Sequence, residues 1–78
     1  MKEKVKNCLQ LACPNVNFEN QDSLIDGGIL DSLAVINIIG ALTDTFGIEI
    51  DADDIIAENF NSVDAIALLV ERLANEHK

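Results

Sequence analysis

The sequence predicts an all-α fold, a small bundle of three main helices and one short helix. Three observations lead there. Apolar residues recur at helical spacing in three separate stretches. No segment alternates apolar and polar residues long enough to build a sheet. Apolar residues make up 49% of the chain, yet they include only three Phe and no Trp or Tyr, so the core must be aliphatic, which suits small helices. At 78 residues the chain reads as a single domain, 1–78. A domain of this size buries only about 60% of the surface that its unfolded form exposes, which leaves little room for an enzyme's walled pocket.

Each element follows from its own residues. Val5, Cys8, Leu9 and Ala12 are spaced i, i+3, i+4, i+7 and predict a helix over 3–12; Pro14 stops it and biases Cys13 away from the helical region. Over 14–31 the period disappears and Asn, Asp, Gln and two Gly dominate. Phe18, Leu24, Ile25, Ile29 and Leu30 are spaced irregularly there, as in a long loop pinned to the core by its own apolar residues. Asp31 is a favourable N-cap for a second helix over 32–46, with Leu30 and Val35 at the spacing of a hydrophobic staple and Gly47 as the C-terminal stop. Val35, Ile38, Ile39, Leu42 and Phe46 give that helix an inward stripe. A short helix over 53–58 follows the extended Ile48-Glu49-Ile50. Ser62 then caps a last helix over 62–74, in which Val63, Ile66, Ala67, Val70 and Leu73 or Ala74 form one stripe, and which frays near Asn75.

Charge narrows the function classes. Fourteen Asp and Glu stand against five Lys and Arg, a formal charge of −9, which repels nucleic acid and anionic membranes and attracts basic protein surfaces. Lys2, Lys4 and Lys6 crowd the first turns, whereas residues 19 to 64 hold eleven acids and no base, so a partner docking on the middle of the chain is expected to be basic. No stretch reaches the roughly 18 apolar residues of a membrane helix, and the N-terminus shows no apolar signal region; the expectation is a cytoplasmic monomer. Cys8 and Cys13, five apart, fit neither a redox pair nor a metal site and read as free thiols with Cys8 in the core, while the single His77 lies in the tail. The aspartate clusters fail as calcium loops: counted from Asp51, position six is Ile56 and position twelve Ser62; counted from Asp22, Gly27 fits position six but Leu33 occupies position twelve.

Beside the inward stripe of the second helix, Leu33, Ile36 and Gly40 lie three and four apart on a neighbouring face that begins at Ser32. In so acidic a chain, this apolar strip is either a contact surface for another protein or further core covered by the long loop.

Ser32, in the stretch GGILDSLA, admits three readings. A nucleophile would need a base within hydrogen-bond reach, and the only His is His77; the stretch is also not a GxSxG elbow, so the chain is not expected to be an enzyme. As a cap Ser32 competes with Asp31, whose position fits the staple. As an attachment site, its hydroxyl would project from the positive end of the helix, where free N–H groups and the dipole favour an esterified phosphate.

The stretch GGILDSLAVINIIGAL resembles the phosphopantetheine attachment region of the acyl carrier protein family, whose members carry Asp-Ser-Leu at the start of their second helix. The likeness continues through the long loop before it, the apolar second helix ending in Phe-Gly-Ile, a short acidic third helix and a fourth helix opened by Ser-Val, covering roughly residues 3 to 74. The resemblance implies an acyl-carrier-like bundle and a 4′-phosphopantetheine arm joined to Ser32 by a phosphopantetheinyl transferase that reads Asp31 and Leu33. The arm would hold an acyl or aminoacyl group as a thioester and present it to partner enzymes of lipid or secondary-metabolite biosynthesis. Leu33, Ile36, Asn37 and Gly40 are the expected partner-binding residues, facing a loading enzyme with a basic or apolar docking surface.

One departure bears on the cargo. Fatty acid carriers usually have a second helix studded with acids, whereas here Ala34, Asn37, Gly40 and Thr43 occupy the outward positions and only Asp44 is acidic; the acids gather instead at Asp22, Asp26, Asp51, Asp53, Asp54 and Glu58. The GGILDSL stretch is similar to stand-alone carriers charged by adenylating ligases, such as D-alanyl and other aminoacyl carriers. An unmodified helical interaction module would share the acidic surface and the apolar strip.

Overall fold

The computed structural model describes residues 2–19 and 21–76, and His77 lies outside them. Four helices follow in order, α1 Lys2–Ala12, α2 Ser32–Phe46, α3 Ala57–Phe60 and α4 Val63–Glu76, with a 3-10 turn at Ala52–Asp54. All regular structure among the described residues is helical, as the periodicity predicts.

In α1 the buried positions are Val5, Cys8 and Leu9, with Ala12 half-buried against them. Cys13 is buried as well, so both thiols belong to the core and both are free. Helices α1 and α2 pack antiparallel: Cys8 Sγ lies 3.5 Å from Thr45 Oγ1, Cys13 Sγ donates a long contact of 3.9 Å to the carbonyl of Ala34, and the Lys4 ammonium sits 5.9 Å from the centre of the Phe46 ring.

Helix α2 starts and stops where its residues dictate. The Asp31 side chain accepts the N–H of Ala34 at 2.8 Å, satisfying one of the first-turn donors. Gly47 takes φ 65°, a left-handed conformation that costs glycine little, and donates its N–H to the carbonyl of Thr43 at 2.9 Å. The inward stripe is narrower than its spacing suggests. Ile38 and Leu42 are fully buried, but Val35, Ile39 and Phe46 are only half-buried. The reason is geometric: Val35 and Ile39 face an open groove instead of the packed interior. On the outward side Asn37 and Gly40 are exposed, while Ala34 and Thr43 are half-buried and so not fully outward.

The segment expected as one helix over 53–58 is two pieces. The turn at Ala52–Asp54 ends at Ile55, Ile56 is extended at φ −122°, ψ 153°, and α3 begins at Ala57. Two consecutive β-branched residues favour extended backbone, and here they interrupt the helix. Helix α4 is opened by Ser62, whose Oγ accepts the N–H of Ala65 at 3.0 Å. It buries Val63, Ile66, Ala67, Val70 and Leu73 and, beyond the expected stripe, Leu69. It also runs on through Asn75 to Glu76, since no Gly or Pro breaks the ladder there.

The long loop is held by Phe18, Leu24 and Leu30, each buried, and each such burial contributes about 1.5–3 kcal/mol. Ile29 does not join them: it is an exposed residue at the surface, because the turn at Gly27 and Gly28 carries it outward before Leu30 returns.

Candidate attachment site at the start of the second helix

The backbone entering α2 is tightly folded. Gly27 donates to the carbonyl of Ser23 at 2.6 Å, and a Cβ at Gly27 would meet that same oxygen at 2.6 Å, so no larger residue fits without moving the loop. Leu30 then donates to the carbonyl of Leu24 at 2.8 Å. This closes the loop on itself and delivers Asp31 and Ser32 to the helix start.

Capping falls to Asp31, which leaves Ser32 as an exposed first residue of α2. Next to its side chain opens an apolar groove of about 360 Å³. One wall is α2, through Val35, Ile36 and Ile39; the other is Ile55, Ile56 and Ala57. Phe60, only 1% exposed, forms the floor, and Ile25 and Leu30 of the loop close the side nearest Ser32. Ile55 and Ile56 are 42% and 47% exposed, apolar surface that no element among the described residues covers.

The groove divides the residues singled out in the sequence. Asp31, Ser32 and Ile36 come together on its rim. Leu33, Asn37 and Gly40 lie exposed on the adjacent face of α2 and do not line it. Leu33 and Ile36 are 72% and 62% exposed, which rules out the reading of the strip as core under the loop. On the far side of the cap sits Cys13, whose thiol is pushed up by burial and, secondarily, by the nearby Asp31 carboxylate; it is held as a neutral packing group.

A family model described as phosphopantetheine attachment site matches residues 3–71, a span that includes the whole of this site. The chain belongs to that family. It is therefore a carrier protein whose cofactor is a covalently attached 4′-phosphopantetheine. No curated protein matches the chain. The geometry suits such a cofactor: an exposed hydroxyl at a helix start accepts a phosphoester without loss of the cap, and the adjoining groove offers apolar surface. Among the described residues, no helix of the carrier is long and apolar enough to cross a membrane.

The walls formed by Ile55, Ile56 and Phe60 were not legible as a site in the sequence. The signal was present in the Ile55-Ile56 pair, two large apolar residues directly after an acidic turn, which periodicity absorbs into a helix. Nor do Asn59 and Asn61 carry any motif, although Asn61 accepts the N–H of Ile25 in the groove's lining and Asn59 donates to the carbonyl of Asp54, the residue before Ile55.

Proposed function

We propose that Ser32 bears the phosphopantetheine arm and that the chain carries an acyl or aminoacyl group on it, with the apolar part of the cargo seated in the groove. The observation that carries this reading is the exposed Ser32 on the rim of an apolar groove, inside the matched span. In the attachment step a phosphopantetheinyl transferase takes the proton from Ser32 Oγ. The oxygen bonds to the phosphorus that bears the pantetheine of coenzyme A, and the pyrophosphate P–O bond breaks to release the adenosine bisphosphate. When bound, the arm supplies a terminal thiol on which cargo is held as a thioester. Asp31 and Leu33 flank the hydroxyl and are the residues the transferase reads.

The carrier presents and does not catalyse. Its loading enzyme meets α2 through Leu33, Ile36, Asn37 and Gly40. Exposed apolar side chains and the neutral Asn37 and Gly40 support a partner that docks by apolar contact, and this favours loading by an adenylating ligase over a malonyl transferase of fatty acid synthesis.

The test is intact mass before and after incubation with coenzyme A and a broad-specificity phosphopantetheinyl transferase. One added phosphopantetheinyl group is expected, and none on Ser32→Ala. An unchanged mass beside an active control carrier would remove the reading, and an added mass on Ser32→Ala would move the site.

A further inference from the structure

Beside the α2 wall, two sides of the groove come from segments outside the long helices: the loop side at Ile25 and Leu30, and the wall at Ile55 and Ile56. Asn61 holds the first. Its Oδ1 accepts the N–H of Ile25 at 3.0 Å and of Asp26 at 3.1 Å, its Nδ2 donates to Asp26 Oδ2 at 3.0 Å, and its carbonyl accepts the N–H of Leu24 at 2.9 Å. Asn59 holds the second: its Nδ2 donates to the carbonyl of Asp54 at 2.8 Å, directly before Ile55 and Ile56. Between them Phe60 is the buried floor.

We infer that the tripeptide Asn59-Phe60-Asn61 is the frame that sets which cargo the carrier accommodates. Asn61 and Asn59 act as positioning residues for these two sides, the Ile25 side and the Ile55-Ile56 wall, and Phe60 fixes the depth between them. The geometry follows from spacing. At the end of α3, residues 59 and 61 flank the inward Phe60, so one asparagine reaches the turn before α3 and the other the loop before α2. An asparagine suits the second task because a single carbonyl oxygen accepts two successive backbone N–H groups while the amide nitrogen still donates to Asp26. Fixing these two sides against the α2 wall narrows the range of chain shapes that the groove accepts. The width of a cargo site is thereby set by residues that need not touch the cargo. The inference rests on the proposed seating of the cargo's apolar part in this groove.

Two measurements separate the frame from that reading. In the unmodified protein, the amides of Ile25 and Asp26 should exchange with solvent about three- to tenfold faster in Asn61→Ala. The double exchange Asp26→Asn with Asn61→Asp, which keeps acceptors and donor with the side-chain pair reversed, should restore them. In the protein loaded with an octanoyl-phosphopantetheine arm, the δ1-methyl signals of Ile25 and Ile55 should both shift relative to a butyryl arm. Asn61→Ala should abolish most of that response at Ile25 and spare Ile55, and Asn59→Ala should do the reverse. Asn17→Ala, which removes a comparable bond to the N–H of Glu19 away from the groove, should alter neither. Unchanged amide exchange in Asn61→Ala, or responses to octanoyl identical in wild type and both variants, would overturn the frame. Absence of any octanoyl response in the wild type would remove the groove from the function, and the frame's role in cargo choice with it. Failure of the arm to attach would count against Ser32 alone, since the amide measurement still decides whether Asn61 holds the wall.

Discussion

Arg72 on α4 reaches Asp54 at the end of the 3-10 turn, with Nη2 and Oδ1 3.0 Å apart. The pair fastens the turn that leads into Ile55 and Ile56 from outside, while Asn59 holds the same residue's carbonyl from within.

Because Arg72 is about half exposed, Arg72→Ala should cost less than about 1 kcal/mol. The cost should shrink as salt rises, since screening weakens the pair in the wild type and relieves the added net negative charge in the variant. Urea unfolding of both proteins at low and high salt checks this. A difference that grows with salt would mean that the contact is not mainly electrostatic.

Burial divides the apolar residues of α2 into two classes. Leu42 has no exposure, and Leu42→Ala should cost about 2–5 kcal/mol, comparable to the whole stability of a small domain. Ile36 is 62% exposed, and Ile36→Ala should cost about 1 kcal/mol or less. Equal losses in chemical denaturation would place Ile36 in the core after all.

Cys13 should make the fold sensitive to alkali. Burial and then Asp31 raise its folded pKa above the unfolded value, so the native state holds the proton more tightly. Its contribution to stability is fully present below the ordinary thiol range, about 8.5, and is lost as pH rises through the folded value. Cys13→Ala should flatten the fall in melting temperature above that range, and an unaltered slope would assign the alkaline loss to other groups.

Partner choice can be changed at two exposed positions. Asn37→Glu with Gly40→Glu adds the acids that this face lacks; Gly40 is exposed and a Cβ added there meets nothing within 4 Å. With each exposed ion pair worth about 0.2–1 kcal/mol, the double change should improve malonyl loading up to about tenfold and weaken loading by an adenylating ligase. The initial rates of the two loading reactions measure it. If the wild type accepts malonyl groups as readily as a fatty acid carrier assayed beside it, the expected preference is absent.

Much of the fold is legible in local sequence. Asp31, Gly47 and Ser62 acted as the caps their chemistry suggests, because cap residues act on backbone groups only a few positions away. The exposure of Leu33 and Ile36 was one of two readings that periodicity left open, and the groove was not readable at all. Its walls come from Ile25, Val35 and Ile55, residues far apart in sequence, and the bonds by which Asn61 holds the loop at Ile25 are long-range contacts that no local pattern announces. Local pattern also misread Ile55 and Ile56 as helix, since their apolar character fits a helical face while their branching opposes one.

Cys8 and Cys13 are 6% and 8% exposed, and this gives the folded carrier an analytical property. A thiol reagent too bulky to enter the core finds neither cysteine, while the arm ends in a thiol that solvent can reach when it carries no cargo. Titration of reactive sulfur under native conditions therefore counts uncharged arms, and repeating it after the fold is melted adds the two cysteines as an internal standard for the amount of protein.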